Sequence, residues 1–361
     1  MHPNHRAASL FIVLSLWAIA LAGCTPSEST VSLPHPTYTP STVPATVSPF
    51  NVYFTTPETN LSVENMQGVE QYLVAAIDAA QRSVDIAIYN FTLKSISDAA
   101  IHAHQRGVAV RIVMESDNMD SNSYQRMKDA GIEVVGDDQK GSMHNKFVVI
   151  DGYQVWTGSA NLSAGAFYND NNNLLSINST QVAQNYTVEF EEMFYDHLFG
   201  PEIKYATPNP IVTVSGRTIE TYFSPDDGVA VRLVQLIQNA DARVDFLAFS
   251  LTSDPIAQAL IARQRAGIMV RGVMDESQVT SNTGGEYDVL KDAGVDVRLD
   301  GNQNLMHHKV MIIDGQYVVT GSYNFSGNAE RTNDENLVII DDPALAAQYE
   351  AEFEKLYAIG N

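Results

Sequence analysis

Two stretches of this 361-residue sequence carry the residues best suited to chemistry. His144-Asn145-Lys146 is followed by Asp151 and then by Gly158-Ser159-Ala160-Asn161; His307-His308-Lys309 is followed by Asp314 and then by Gly321-Ser322-Tyr323-Asn324. Each member of the second set stands 163 positions after its counterpart (307 − 144, 314 − 151, 321 − 158). A His-x-Lys pair on a strand presents both side chains on one face. The ammonium cannot act as a base for the imidazole, but it can hold an anion. Gly-Ser-x-Asn adds a tight turn, a hydroxyl and an amide, which are donors for oxyanions. If the two sets face each other, one histidine can attack phosphorus while the other protonates the leaving oxygen. Two lysines and two asparagines then neutralise the equatorial oxygens. There is no Walker-type loop and no carboxylate cluster of metal-ligand spacing, so this chemistry calls for neither metal nor cofactor.

The elements that must position these residues are duplicated as well. Val84-Asp85-Ile86-Ala87-Ile88-Tyr89 is echoed by Val244-Asp245-Phe246-Leu247-Ala248-Phe249, 160 positions later (244 − 84). The change from 160 to 163 places a three-residue difference in the loop around 116–128. Apolar residues Val69, Leu73, Ala76, Ile77 and Ala80 predict an amphipathic helix over 67–81. Strands follow at 84–89 and 108–114, with a helix over 96–106 capped by Gly107 and a second short helix ending near Gly131. Lys146–Ile150, Gln154–Thr157 and Leu174–Ile177 read as strands, and 181–199 as a closing helix; the second unit repeats the order to a last helix, Pro343–Tyr357. Alternating strands and helices argue for an α/β class. Two tandem α/β/α sandwich units, residues 50–200 and 218–361, are therefore expected about a pseudo-twofold axis, an internal pseudo-dimer in a monomeric chain. The proline-bearing segment 201–217 reads as the linker.

The formal charge of −22 disfavours long-range attraction to polyanions, although it leaves a local basic cleft possible. The single cysteine, Cys24, excludes an internal disulfide and a cysteine-based metal site. It follows a short basic start and an apolar run from Leu10 to Ala22, too short for the roughly 20 residues of a membrane span. Leu21-Ala22-Gly23-Cys24 resembles the lipobox of bacterial lipoproteins, which implies a leader over 1–23, lipidation of Cys24 and an exported chain anchored outside the cytoplasm. Residues 24–49, rich in Ser, Thr and Pro, read as a disordered tether.

The doubled pattern His-x-Lys-x4-Asp-x6-Gly-Ser-x-Asn resembles the signature of the phospholipase D superfamily. Each half is similar to its small bacterial endonucleases and cardiolipin hydrolases. The resemblance implies a covalent phosphohistidine intermediate, metal-independent turnover, and catalytic roles for His144, Lys146, His307 and Lys309. It makes Ser159, Asn161, Ser322 and Asn324 the phosphate-binding shell, and Asp151 and Asp314 structural. Glu335 matches the acidic residue that orients a motif histidine, whereas the first-half counterpart is Asn172, with Asp170 nearby as a possible substitute. The N-terminal histidine, His144, is expected to be the nucleophile and His307 the general acid, with loss of the first-half carboxylate counting against that assignment. His308 is expected on the opposite face of its strand, in a structural role.

A hydrolase of phospholipid phosphodiesters at a membrane surface is the leading expectation, since an anchor would hold it beside its substrate. A nuclease is the second, weakened by the acidic balance. Transfer of a phosphatidyl group, as in cardiolipin synthesis, and a non-catalytic phosphodiester-binding surface module complete the alternatives.

Overall fold

A computed structural model of the chain describes residues 49–361, apart from residues 60, 138, 202 and 203 and the side chain of Glu58. The leader, Cys24 and the tether up to residue 48 lie outside the described residues. Two mixed sheets form, one from each half. The first contains β1 (Phe50–Phe54), β2 (Ser83–Ile88), β3 (Ala109–Met114), β4 (Glu133–Gly136), β5 (Lys146–Ile150), β6 (Gln154–Gly158) and β7 (Asn173–Asn178), in the order β1-β7-β6-β5-β2-β3-β4. The second contains β8 (Ile211–Val214), β9 (Arg217–Ser224), β10 (Arg243–Ala248), β11 (Met269–Met274), β12 (Asp296–Leu299), β13 (Lys309–Ile313), β14 (Tyr317–Gly321) and β15 (Glu335–Asp341), in the order β12-β11-β10-β13-β14-β15-β9-β8. In each sheet three strands are parallel, joined by crossover helices, and the motif strand pairs antiparallel with the first of them: β2 with β5, β10 with β13.

The parallel strands are buried on both faces, which is why they read as nearly unbroken apolar runs. Outward-facing residues such as Ile86, Ile112 and Val148 meet the helices Glu70–Ala79 and Lys94–Gln105. The inward faces of both sheets meet the closing helices Thr180–Glu191 and Pro343–Ile359 in one continuous core. Aromatic pairs cross between the halves there: Tyr186 lies edge-on to Phe223 at 5.1 Å between centroids, and Phe54 to Tyr349 at 5.1 Å.

Two readings are corrected in detail. The segment 201–217 is more than a linker, because β8 forms within it and turns back on β9 as a hairpin. The closing helix of the first half does not continue to residue 199. It widens into a π-helical turn over Glu192–Asp196 and stops at His197, whose φ is 53°. The hairpins from β5 to β6 and from β13 to β14 turn at Asp151-Gly152 and Asp314-Gly315, all four with positive φ, as a tight type I′ turn requires.

Because the core crosses the boundary between the halves, residues 50–361 are expected to unfold in one transition. Trp156 reports the first half only, while far-UV circular dichroism reports both. Phe353→Ala, in the second half, should lower stability by about 3–5 kcal/mol. It should shift the urea curve of Trp156 as far as that of circular dichroism; a Trp156 curve left in place would show that the halves unfold separately.

Candidate active site

The two motif histidines meet because the halves exchange backbone hydrogen bonds just before them. Met143 bridges in parallel to Asp334, with the Asp334 N–H donating to the Ser142 carbonyl (3.0 Å) and the His144 N–H to the Asp334 carbonyl (3.0 Å). The mirror arrangement pairs Asn171 with Met306: the Asn171 N–H donates to the Leu305 carbonyl (2.8 Å) and the His307 N–H to the Asn171 carbonyl (2.9 Å). Each histidine is thereby laid beside the residue that follows the bridge in the opposite half.

The orienting pairs consequently cross. His144 Nδ1 lies 2.7 Å from Glu335 Oε2, and His307 Nδ1 lies 2.9 Å from Asn172 Oδ1. This corrects the inference that the missing first-half carboxylate counts against His144. Numbering along one half pairs Asn172 with His144, but the fold pairs it with His307. Asp170 does not substitute for a carboxylate either: its Oδ1 accepts from the Leu305 N–H (3.3 Å), and burial pushes its pKa up to about 6. Both histidines hold Nδ1 against an acceptor, so Nε2 is the nitrogen free for chemistry.

Lys146 and Lys309 are almost fully buried, and each ammonium donates to the carbonyl of its own motif histidine at 2.9 Å. Burial lowers all four groups. His144 is pushed down to about 4 by desolvation, against the pull of Glu335, and Lys146 down to about 7. His307 and Lys309 are held well below their ordinary values by burial and then by neighbouring cations. The walls are aromatic. Tyr89 lies edge-on to His144 (5.0 Å) and 5.3 Å below the Lys146 ammonium; Phe249 does the same for His307 (4.6 Å) and Lys309 (4.6 Å). Tyr89 and Phe249 were legible only as the last residues of the repeated strand run, 160 apart, with nothing to mark them as site walls.

Asn161 and Asn324 are half-buried, and their Oδ1 atoms have no hydrogen-bond partner among the described residues. The two serines make hydrogen bonds within the protein. Ser159 Oγ donates to Asn172 Oδ1 (2.8 Å) and accepts from the Asn173 N–H (3.1 Å); Ser322 Oγ accepts from the Asn336 N–H (3.0 Å). Both are fully buried behind the histidines and brace the strands that carry the orienting residues. Asp151 and Asp314 lie at the far end of their strands. Asp151 accepts from the backbone N–H groups of Gln81, Arg82 and Ser83, and Asp314 from those of Asp241, Ala242 and Arg243. They tie the motif hairpin to the first parallel strand and do not reach the histidines' chemistry.

Behind the site the halves read each other through two buried amides that the sequence did not flag. Asn336 accepts from Thr157 Oγ1 (2.5 Å) and donates to Asn145 Oδ1 (3.0 Å). Asn173 accepts from Thr320 Oγ1 (3.0 Å) and lies 3.1 Å from His308 Nδ1, with His308 Nε2 3.7 Å from Glu352. His308 is thus structural, as its strand parity predicts.

The family model described as "Cardiolipin synthase, PLD-like domain" matches the chain twice, over residues 73–194 and 233–357. The chain belongs to the phospholipase D superfamily. As a member it is an enzyme of the phosphodiesterase class. A mitochondrial cardiolipin hydrolase of Chlamydomonas reinhardtii is 28% identical over 176 residues, covering 42% of this chain and 78% of the relative. A phospholipase D of Rickettsia prowazekii is 34% identical over 139 residues, covering 38% of this chain and 67% of the relative. These matches span less than half of the present chain, in keeping with two superfamily units in one polypeptide. The crystal structure of phosphatidylserine synthase from Haemophilus influenzae shares the fold over 86% of this chain and 87% of its own, with a TM-score of 0.66 at 12% identity.

An oxyanion entering this superfamily site restores the charge that burial suppresses. With Lys146 held at about 7, binding of inorganic phosphate at pH 8 should take up protons, and affinity should fall as pH rises from 7. Titration calorimetry in buffers of different ionisation enthalpy measures the uptake. Lys146→Met should remove part of it, and uptake of zero in the parent protein would contradict the burial argument.

Proposed function

We propose that this enzyme hydrolyses phospholipid phosphodiesters through a covalent phosphohistidine, with His144 as nucleophile. The observation that carries the reading is the crossed pairing, which sets a carboxylate behind His144 and an amide behind His307. Attack through Nε2 leaves the phosphorylated imidazole cationic, and Glu335 is the group that balances that charge. His307 supplies a proton to the leaving oxygen and then takes one from the water that resolves the intermediate. Lys146 and Lys309, with Asn161 and Asn324, hold the non-bridging oxygens; Ser159 and Ser322 keep the supporting strands in place. The names of the relatives, a phospholipase D and a cardiolipin hydrolase, support a lipid substrate. A lipid-anchored extracytoplasmic chain, modified at Cys24, belongs to the same proposal, because an anchor raises the local concentration of bilayer substrate.

The test offers phosphatidylcholine, cardiolipin and single-stranded DNA to residues 50–361 in EDTA. Phosphatidic acid or a free head group should appear, and His307→Ala should lower the rate by about 10²–10⁴-fold. Quenching with a slow 32P-labelled substrate should leave label on a peptide containing His144, and His144→Ala should abolish it. Label on the His307 peptide would reverse the roles, and release of nucleotides alone would replace the lipid reading with a nuclease.

A further inference from the structure

The amide of Asn172 has only one orientation open to it. Its Nδ2 donates to the Ala166 carbonyl at 2.9 Å, and its Oδ1 already accepts from Ser159 Oγ at 2.8 Å. The residue is fully buried, so no solvent can exchange for these partners. The oxygen is therefore the atom that faces His307 Nδ1, 2.9 Å away, and the imidazole must donate from Nδ1. In its neutral form His307 then carries a lone pair on Nε2, which is the form of a base. To act as an acid it has to become an imidazolium, and here the two halves of the site differ: Glu335 offers His144 a full negative charge, whereas Asn172 offers His307 only a dipole.

We propose that Asn172 is a positioning residue that keeps His307 largely unprotonated at neutral pH, so that the enzyme favours phosphodiesters whose leaving oxygen departs with little protonation. The inference rests on the roles assigned under the proposed function. In the first step the His144 Nε2 lone pair forms the N–P bond. The P–O bond breaks with its electron pair on the leaving oxygen, which takes the Nε2 proton of His307. In the second step neutral His307 takes a proton from water, the water oxygen bonds to phosphorus, and the N–P pair returns to His144. Asn172 leaves little of the imidazolium that the first step requires, and leaves His307 in the neutral form from which the second step starts.

The other charges around His307 act in the same direction or do not reach the ring. Lys309, Lys146, His144 and His308 all disfavour its protonation. The carboxylates bonded to the segment just before His307 meet its backbone and not the ring: Asp275 accepts from the Met306 N–H (2.9 Å) and Asp170 from the Leu305 N–H. Phe249 presents a neutral ring.

The experiment compares two probes on the full-length chain in detergent, across pH 4.5–9: bis(4-nitrophenyl) phosphate, whose phenolate leaves unprotonated, and dihexanoylphosphatidylcholine, whose choline oxygen needs a proton. For the wild type, kcat/KM on the choline ester should already fall with rising pH below about 6.5, the ordinary histidine value, while the aryl ester shows no such limb. Asn172→Asp and Asn172→Glu, checked by thermal melting, should move the choline-ester limb upward by about one pH unit or more. The aryl-to-choline rate ratio at pH 7.5 should fall by about tenfold. A wild type with the same pH dependence on both probes overturns the inference even if neither variant folds. A folded variant that changes both rates equally also overturns it while leaving the phosphodiesterase reading intact. Turnover of neither probe by the wild type would remove the underlying functional reading instead.

Discussion

The site depends on one constraint: the segment before each motif histidine is hydrogen-bonded, backbone to backbone, to the other half of the chain. The Met143–Asp334 and Asn171–Met306 bridges fix where each histidine stands, and they bring in the partner for its Nδ1. A backbone bridge suits this task because its geometry does not depend on side-chain rotamers. The residue next in line, Glu335 or Asn172, can then differ between the halves without disturbing the position of either imidazole. The buried amides Asn173 and Asn336 extend the same contact, each taking hydroxyl donors from the opposite half. Such amides stay buried only when their hydrogen bonds are made, so they favour this one register of the two halves.

Burial then sets the chemistry. Two lysines and two histidines share a dry cleft with Glu335 as the only carboxylate bonded to either motif histidine among the described residues. Their mutual repulsion and desolvation leave the site short of negative charge in a chain whose overall balance is strongly acidic. A phosphodiester supplies what is missing, between the aromatic walls of Tyr89 and Phe249. Net charge therefore says little about what the cleft accepts, since the surface carboxylates act through solvent and the buried histidines and lysines do not.

The pseudo-symmetry holds wherever packing or the backbone demands it and breaks where only one half needs a function. The aspartates of the two hairpin turns, the serines behind the site and the lysines over aromatic rings are equivalent in the two halves. The exceptions are the β8–β9 hairpin, the pairing of Asn145 with His308, and the contrast of Glu335 with Asn172. The last of these lies within hydrogen-bonding distance of the reacting groups, and it gives two otherwise matched histidines different acid–base characters.

The α/β class, the duplication, the motif strands and the pairing of each histidine with a lysine on one face were determined by the sequence alone. Strand parity and the 163-residue offset are local properties that survive folding. The same parity sent His308 away from the site. The turns at Asp151-Gly152 and Asp314-Gly315 were not read in advance, although Asp-Gly between two strands is a hairpin signal. Some elements escaped: β1 and β4, and β8, which was hidden in a proline-bearing segment. What only the tertiary structure decided is which half serves which histidine. Sequence offsets align Glu335 with His307 and Asn172 with His144, because both members of each pair lie in one repeat. The chain folds so that the repeats exchange these residues across the pseudo-twofold axis, and an exchange between symmetric partners leaves no trace in spacing or periodicity. The hydrogen bonds of Ser159 and Ser322 were likewise invisible, because their partners lie 13–14 residues on and are brought back only by the fold.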